Sequence, residues 1–159
     1  MSLELKRCGM KNLAVITARG GSKRIPEKNI KEFCGRPILT YSIEAALGCK
    51  RFSQVMVSTD SPKIARVAAQ YGAKVPFLRS RKNSDDYATT AQVLLEVLSE
   101  YEKCGYIFDT ICCIYPTAPF VTAEKLQHAF DCMECEDADA VVPVVQYSFP
   151  PQRAFVIQE

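Results

Sequence analysis

The sequence predicts an α/β fold, a three-layer, doubly wound, mostly parallel sheet, and three observations predict it. Short apolar or β-branched runs alternate with amphipathic helical segments along the whole chain. The first of these runs, Leu13-Ala14-Val15-Ile16, is apolar at every position, as a strand covered on both faces should be. No internal repeat or low-complexity linker interrupts the pattern, and 159 residues suit one domain with a sizeable core.

The elements follow in order. Residues 13–18 form the first strand, and a polar, basic loop runs from 19 to 29. Gly35 marks a turn and Pro37 suits the first turn of a helix, in which Ile38, Tyr41, Ala45 and Ala46 recur at helical spacing and Gly48 is the expected stop. Residues 52–59 read as the second strand, ending at Asp60. Ser61-Pro62 caps and opens a second helix, with Ile64, Val67, Ala68 and Tyr71 on one face and Gly72 beyond its end. Residues 74–78 are expected to form a short third strand. Residues 79–90 are polar and aperiodic, hence a loop. Thr89 or Thr90 caps a helix running to Lys103 that buries Val93, Leu94, Val97, Leu98 and Tyr101. A strand at 109–115 stops abruptly at Pro116-Thr117-Ala118-Pro119, Thr122 opens a further helix through Phe130 and Met133, and 138–145 is the last expected strand.

Bulk properties remove several function classes. A formal net charge of +2 is too small to argue for nucleic acid or a membrane surface as partner. The apolar runs fall far short of the roughly 20 residues that span a bilayer. Residues 1–9 lack a signal-peptide core and read as an N-terminal extension, Met10 resembling a natural start, so the cytosol is the expected compartment. The eight cysteines are expected to be reduced and structural, because a disulfide framework belongs to small secreted chains. Cys132-x-x-Cys135 has metal-knuckle spacing but lacks a second pair, and His128 is the sole histidine.

The stretch 18–29 reads A-R-G-G-S-K-R-I-P-E-K-N. Gly20 and Gly21 can take positive φ and bring bare backbone N–H groups close to a ligand, while Arg19, Lys23, Arg24 and Lys28 supply positive charge. A nucleoside triphosphate is the simplest ligand that uses all of these. In parallel α/β sheets ligands bind beyond the carboxyl ends of the strands, so 18–29, 59–60, 79–90 and 115–120 are the candidate site segments. There is no G-x-S-x-G elbow, no G-x-x-x-x-G-K-[ST] loop and no G-x-G-x-x-G fingerprint. A cationic glycine loop without an acid–base pair suits phosphoryl or nucleotidyl transfer, where positioning and charge neutralisation carry the chemistry.

The 18–29 stretch, V-S-T-D at 57–60 and F-L-R at 77–79 resemble, in order and spacing, the CMP-sialic acid synthetase (acylneuraminate cytidylyltransferase) family, from about Met10 onward. Within it, S-D-D-Y at 84–87, C-C-I-Y-P-T-A-P-F at 112–120 and F-P-P-Q-R-A at 149–154 are most similar to the pseudaminic acid branch. The resemblance implies a Rossmann-like nucleotidyltransferase fold and the transfer of CMP from CTP to an acidic nine-carbon sugar, pseudaminic acid above all, with pyrophosphate leaving. It implies that Arg19 and Lys28 are the catalytic groups on the triphosphate. Gly20, Gly21, Ser22, Lys23 and Asn29 would complete the nucleotide loop, and Arg79 and Thr90 would lie near the cytidine. Tyr115, Thr117 and Arg153 would face the sugar, Arg153 pairing its carboxylate. It further implies Mg²⁺ held by a D-x-D carboxylate pair, and a dimerisation arm, both expected beyond Glu159. Residues 10–159 are thus expected to be a C-terminally truncated nucleotide-binding domain. Two other readings remain: a non-catalytic CTP-binding fragment, and a different sugar nucleotidyltransferase such as one for Kdo.

Overall fold

The computed structural model describes residues 11–147. Its centre is a parallel sheet of three strands, β1 (Asn12–Thr17), β4 (Gln54–Ser58) and β5 (Thr110–Ile114), in the order β4-β1-β5. Leu13 pairs with Gln54 on one side of β1 and with Ile111 on the other. β1 is central and covered on both faces: Leu13, Ala14, Val15 and Ile16 are completely buried. One face carries Leu13, Val15 and Met56 against Val97 and Tyr101 of helix α3 (Thr90–Lys103), with Phe77, Leu94, Phe108 and Ile111 around them. Tyr101 makes edge-on contacts with Phe77, Phe108 and Tyr106, and its hydroxyl accepts from the Gln54 amide.

Helix α1 (Leu39–Cys49) buries Leu39, Ile43 and Ala46 and touches β1 and β4. The chain reaches it through a small antiparallel hairpin, β2 (Glu32–Phe33) and β3 (Arg36–Pro37), that the sequence reading did not anticipate. Both turn residues, Cys34 and Gly35, have positive φ, the geometry that a two-residue hairpin loop requires. Gly48 does not end α1; the helix continues to Cys49 and closes on Lys50 in the left-handed region. Gly48 is small for a packing reason, since a Cβ there would come within 3.3 Å of the Ala123 Cβ. Helix α2 (Pro62–Gln70) starts as expected, with Ser61 as cap and Pro62 in the first turn.

Two expected strands do not form. At 74–78 only Lys74 bridges to β4, donating to Val55 O and accepting from Val57 N at 2.9 Å each. Pro76 then lacks the N–H that a longer ladder needs. Residues 138–147 contain no helix or strand, and Val144 and Val145 stand exposed. A hydrophobic run becomes a strand only where a neighbouring edge accepts it, and Pro143 removes a donor from the middle of the V-V-P-V segment.

The chain divides into two compact units, Met1–His128 and Ala129–Glu159. Helix α4 (Ala123–Cys135) spans the division. Thr122 caps it, its hydroxyl accepting from Lys125 N at 3.3 Å. At the other end Asp137 adopts a left-handed conformation while Ala138 N donates to Met133 O, a Schellman-type stop. No helix among the described residues is long and apolar enough to cross a membrane. The described cysteines are free thiols.

Candidate functional site

The order β4-β1-β5 makes the gap between β1 and β5 a topological switch point, because the chain leaves β1 toward one side of the sheet and returns on the other. A cavity of about 220 Å³ opens there, at the carboxyl ends of both strands. Thr17 at the end of β1 and Tyr115, Pro116 and Thr117 after β5 form its floor; Arg19, Ser22, Lys28 and Asn29 come from the glycine loop; Arg79, Ala88, Thr90 and Val93 come from the polar loop and the start of α3.

Most of the expected site residues therefore converge. Gly20, Gly21 and Lys23 belong to the loop without lining the cavity, and Arg153 lies outside the described residues. The expected role of the glycines needs correction. Neither Gly20 nor Gly21 has positive φ. The Gly20 N–H is already used, donating to Asp60 Oδ1 at 2.7 Å. A Cβ at Gly20 would meet the Ser61 Cβ at 3.0 Å, so a glycine suits the close approach of the loop to the residues after β4.

The loop is anchored at several further points. Asn29 is buried, and its amide donates to Arg19 O at 2.8 Å while its Oδ1 has no protein partner. A three-residue 3₁₀ turn, Lys28–Ile30, follows Glu27, which has φ of 52° and is tied to Lys63 of α2 through a 2.6 Å ion pair. Lys28 lines the cavity and makes no ion pair among the described residues.

Arg79 is 8% exposed. Its Nε donates to Ser58 Oγ at 3.0 Å and its Nη2 to Ser58 O at 2.5 Å, while its own N–H donates to Thr59 O. Burial lowers its pKa from the ordinary arginine value, and Asp60 and Glu96 push it back up; an arginine stays charged regardless. The backbone after it is held by Glu96 of α3, which accepts from Ser80 N at 2.7 Å, from Ser80 Oγ and from the Asn83 amide. Burial pushes the Glu96 carboxyl up, but the Ser80 backbone, Asn83 and Ser80 hydroxyl bonds outweigh it and leave the pKa below the usual value. Thr89 caps α3 in a full capping box with Gln92. This turns Thr90 toward the cavity, where its hydroxyl lies 3.4 Å from the Tyr115 hydroxyl.

Arg19 donates to Asp85 O at 2.7 Å and pairs with Asp86 at 2.8 Å; Lys23 pairs with the other oxygen of the same carboxylate. Lys23 and then Arg19 hold the Asp86 pKa below the usual carboxylate range. Near the site, burial raises the Cys112 thiol to about 11 and raises Cys113 as well, so both remain protonated and unreactive. Among the described residues no group of three or more His, Cys, Asp or Glu could hold a metal ion, and Asp60 and Asp86 are already engaged.

Asp60, Asp86 and Glu96 organise this site; the sequence placed Asp60 and Asp86 in candidate site segments without assigning them a role, and it did not point to Glu96. The signal for Asp60 was its position at the end of a strand. Nothing local pointed to Glu96, whose partners are more than ten residues away.

Comparison with known proteins decides the family. The cytidylyltransferase family model matches residues 13–155. The chain belongs to the cytidylyltransferase family. This cytidylyltransferase chain is 41% identical over 150 residues to the pseudaminic acid cytidylyltransferase of Campylobacter jejuni, covering 94% of the chain and 65% of that relative. It is 40% identical over 122 residues to the CMP-N,N'-diacetyllegionaminic acid synthase of Legionella pneumophila, covering 77% of the chain and 53% of that relative. The chain thus spans just under two thirds, or about half, of the length of these relatives. Among solved structures, CMP:2-keto-3-deoxy-manno-octonic acid synthetase complexed with CTP superposes with a TM-score of 0.67 at 23% identity, over 80% of this chain and 49% of that one, a likeness of fold. A cytidylyltransferase from Leptospira borgpetersenii gives 0.62 at 25% identity, over 78% and 49%. The expected nucleotidyltransferase α/β fold is borne out by these likenesses and by the helix-flanked parallel sheet.

Proposed function

We propose that this chain is the nucleotide-binding part of an enzyme that transfers CMP from CTP to a nonulosonic, sialic-acid-like sugar, pseudaminic acid being the preferred acceptor, with release of pyrophosphate. The observation that carries this reading is the convergence of Arg19, Lys28 and Arg79 on one cavity at the switch point of the sheet. Three cations around a small cavity suit a ligand with several negative charges. The choice of sugar rests on the Campylobacter relative, whose name states it.

In this reading Arg19 and Lys28 hold the triphosphate, with Ser22 and Lys23 beside them, and offset the charge that grows as pyrophosphate departs. The anomeric hydroxyl of the sugar attacks the α-phosphorus, and the bond from that phosphorus to the pyrophosphate oxygen breaks. Arg79 and Thr90 lie on the cytidine side. Asn29, whose buried Oδ1 lacks a donor, would accept one from the ligand. Tyr115 and Thr117 lie on the sugar side, and Arg153 pairs the sugar carboxylate. Mg²⁺ belongs to this proposal as a companion of the triphosphate. The cytosol and a homodimer belong to it too.

Folded protein is incubated with CTP, Mg²⁺ and either pseudaminic or N-acetylneuraminic acid, and pyrophosphate is measured. Release that requires both CTP and a nonulosonic acid, fastest with pseudaminic acid, is expected. No release with any nonulosonic acid contradicts the reading.

A further inference from the structure

Asp86 has no place in the chemistry above, yet it holds the cationic loop. Its two carboxylate oxygens take Arg19 and Lys23 separately, one at 2.8 Å. The segment carrying it is built to present it. Asp85 accepts from Tyr87 N at 2.9 Å and Ala88 N at 2.8 Å, folding 85–88 into a tight turn. Arg19 clasps the same turn through Asp85 O, and Ala88 from this turn forms part of the cavity wall. An acidic turn thus lies across a phosphate-type loop, and one carboxylate occupies two of its cations in the geometry a phosphate oxygen pair would use.

We propose that Asp86 is a displaceable latch: with no nucleotide bound its carboxylate takes the place of a phosphate on Arg19 and Lys23, and an incoming triphosphate must release Arg19 from it. The inference rests on the reading of Arg19 as a phosphate contact. It has two physical consequences. The loop is kept ordered and its cations are kept from repelling one another while the site is empty. Polyphosphate binding is weakened by the cost of breaking the pairs, whereas a nucleoside monophosphate that leaves Arg19 on Asp86 does not meet that cost. Both pairs are partly solvent-exposed, Asp86 by 35%, which keeps the cost small enough for a ligand to overcome.

Asp86→Asn preserves shape and removes the charge. CTP, UTP, GTP, CMP and inorganic pyrophosphate are titrated separately into the wild-type protein, Asp86→Asn, Arg19→Ala and the Asp86→Asn/Arg19→Ala double variant by calorimetry, after thermal unfolding has shown each to be folded. The latch predicts that Asp86→Asn binds CTP and pyrophosphate roughly two- to tenfold more tightly than wild type. It also predicts that CMP binding changes little and that much of the gain vanishes in the Arg19→Ala background. Equal or weaker polyphosphate binding by Asp86→Asn overturns it and makes Asp86 a positioning group for the cations. If pyrophosphate binds more tightly to Asp86→Asn but CTP is not preferred over UTP or GTP, the latch stands and the cytidylyl reading fails. If wild type turns over CTP and Asp86→Asn gains nothing, the reverse holds. Binding of no polyphosphate by either protein overturns both.

Discussion

A Cβ at Gly20 would lie 3.0 Å from the Ser61 Cβ, tighter than an ordinary contact, while the Gly20 N–H serves Asp60. Gly20→Ala should therefore destabilise the fold by about 1–3 kcal/mol, as overpacking does, measured by urea unfolding; an unchanged midpoint would show that the loop yields freely. Lys28 is different, being exposed and structurally idle in the unliganded protein. Lys28→Ala should leave stability within about 0.5 kcal/mol and weaken CTP binding roughly ten- to a hundredfold, the range for a charge-assisted bond. CMP binding should fall less, and equal losses for the two nucleotides would contradict the assignment of Lys28 to the terminal phosphates. The residue types at 19, 22, 28 and 29 were legible because a basic glycine loop after a first strand is a local pattern. The partners that hold them were not. Asp60 reaches Gly20 across 40 residues and Asp86 reaches Arg19 across a longer span still, and no spacing rule encodes such pairs.

At the level of elements, α3 shows what sequence reads well. Thr89 as a cap and the apolar positions Val93, Val97 and Tyr101 are local signals and are realised, while the expected Leu94 and Leu98 are only half-buried. Thr89→Ala should cost about 1 kcal/mol by urea unfolding through loss of the cap. The same helix carries Glu96, which ties down the segment after Arg79. A carboxyl whose folded pKa lies below its unfolded value stabilises the fold above the unfolded value, and the effect is lost as pH falls through the folded one. Glu96→Gln should thus lower Tm most near neutral pH, and the gap from wild type should narrow as pH falls below about 4. A gap independent of pH would mean that Glu96 acts through shape alone. The strands at 74–78 and 138–145 were misread for a shared reason. β propensity describes a segment, whereas a strand is a relation between two segments, and prolines at 76 and 143 weaken the donor side of that relation.

On the scale of the whole molecule, the α/β class followed from the alternation of runs, and the placing of β1 followed from its being apolar on both faces. The strand order β4-β1-β5 did not, because neighbours in a sheet leave little trace in a single sequence. That order nevertheless decides function, since it sets the end of β1 beside the end of β5 and brings the cationic loop, Arg79 and Tyr115 to one cavity. The most direct test of that cavity as a cytidine triphosphate site is a calorimetric titration of wild type and Arg79→Ala with CTP, UTP and GTP. Wild type should bind CTP saturably and in preference to the other two, and Arg79→Ala, still folded, should lose that preference. Equal affinity of the wild type for all three nucleotides, or an Arg79→Ala variant that keeps the preference, would contradict the account.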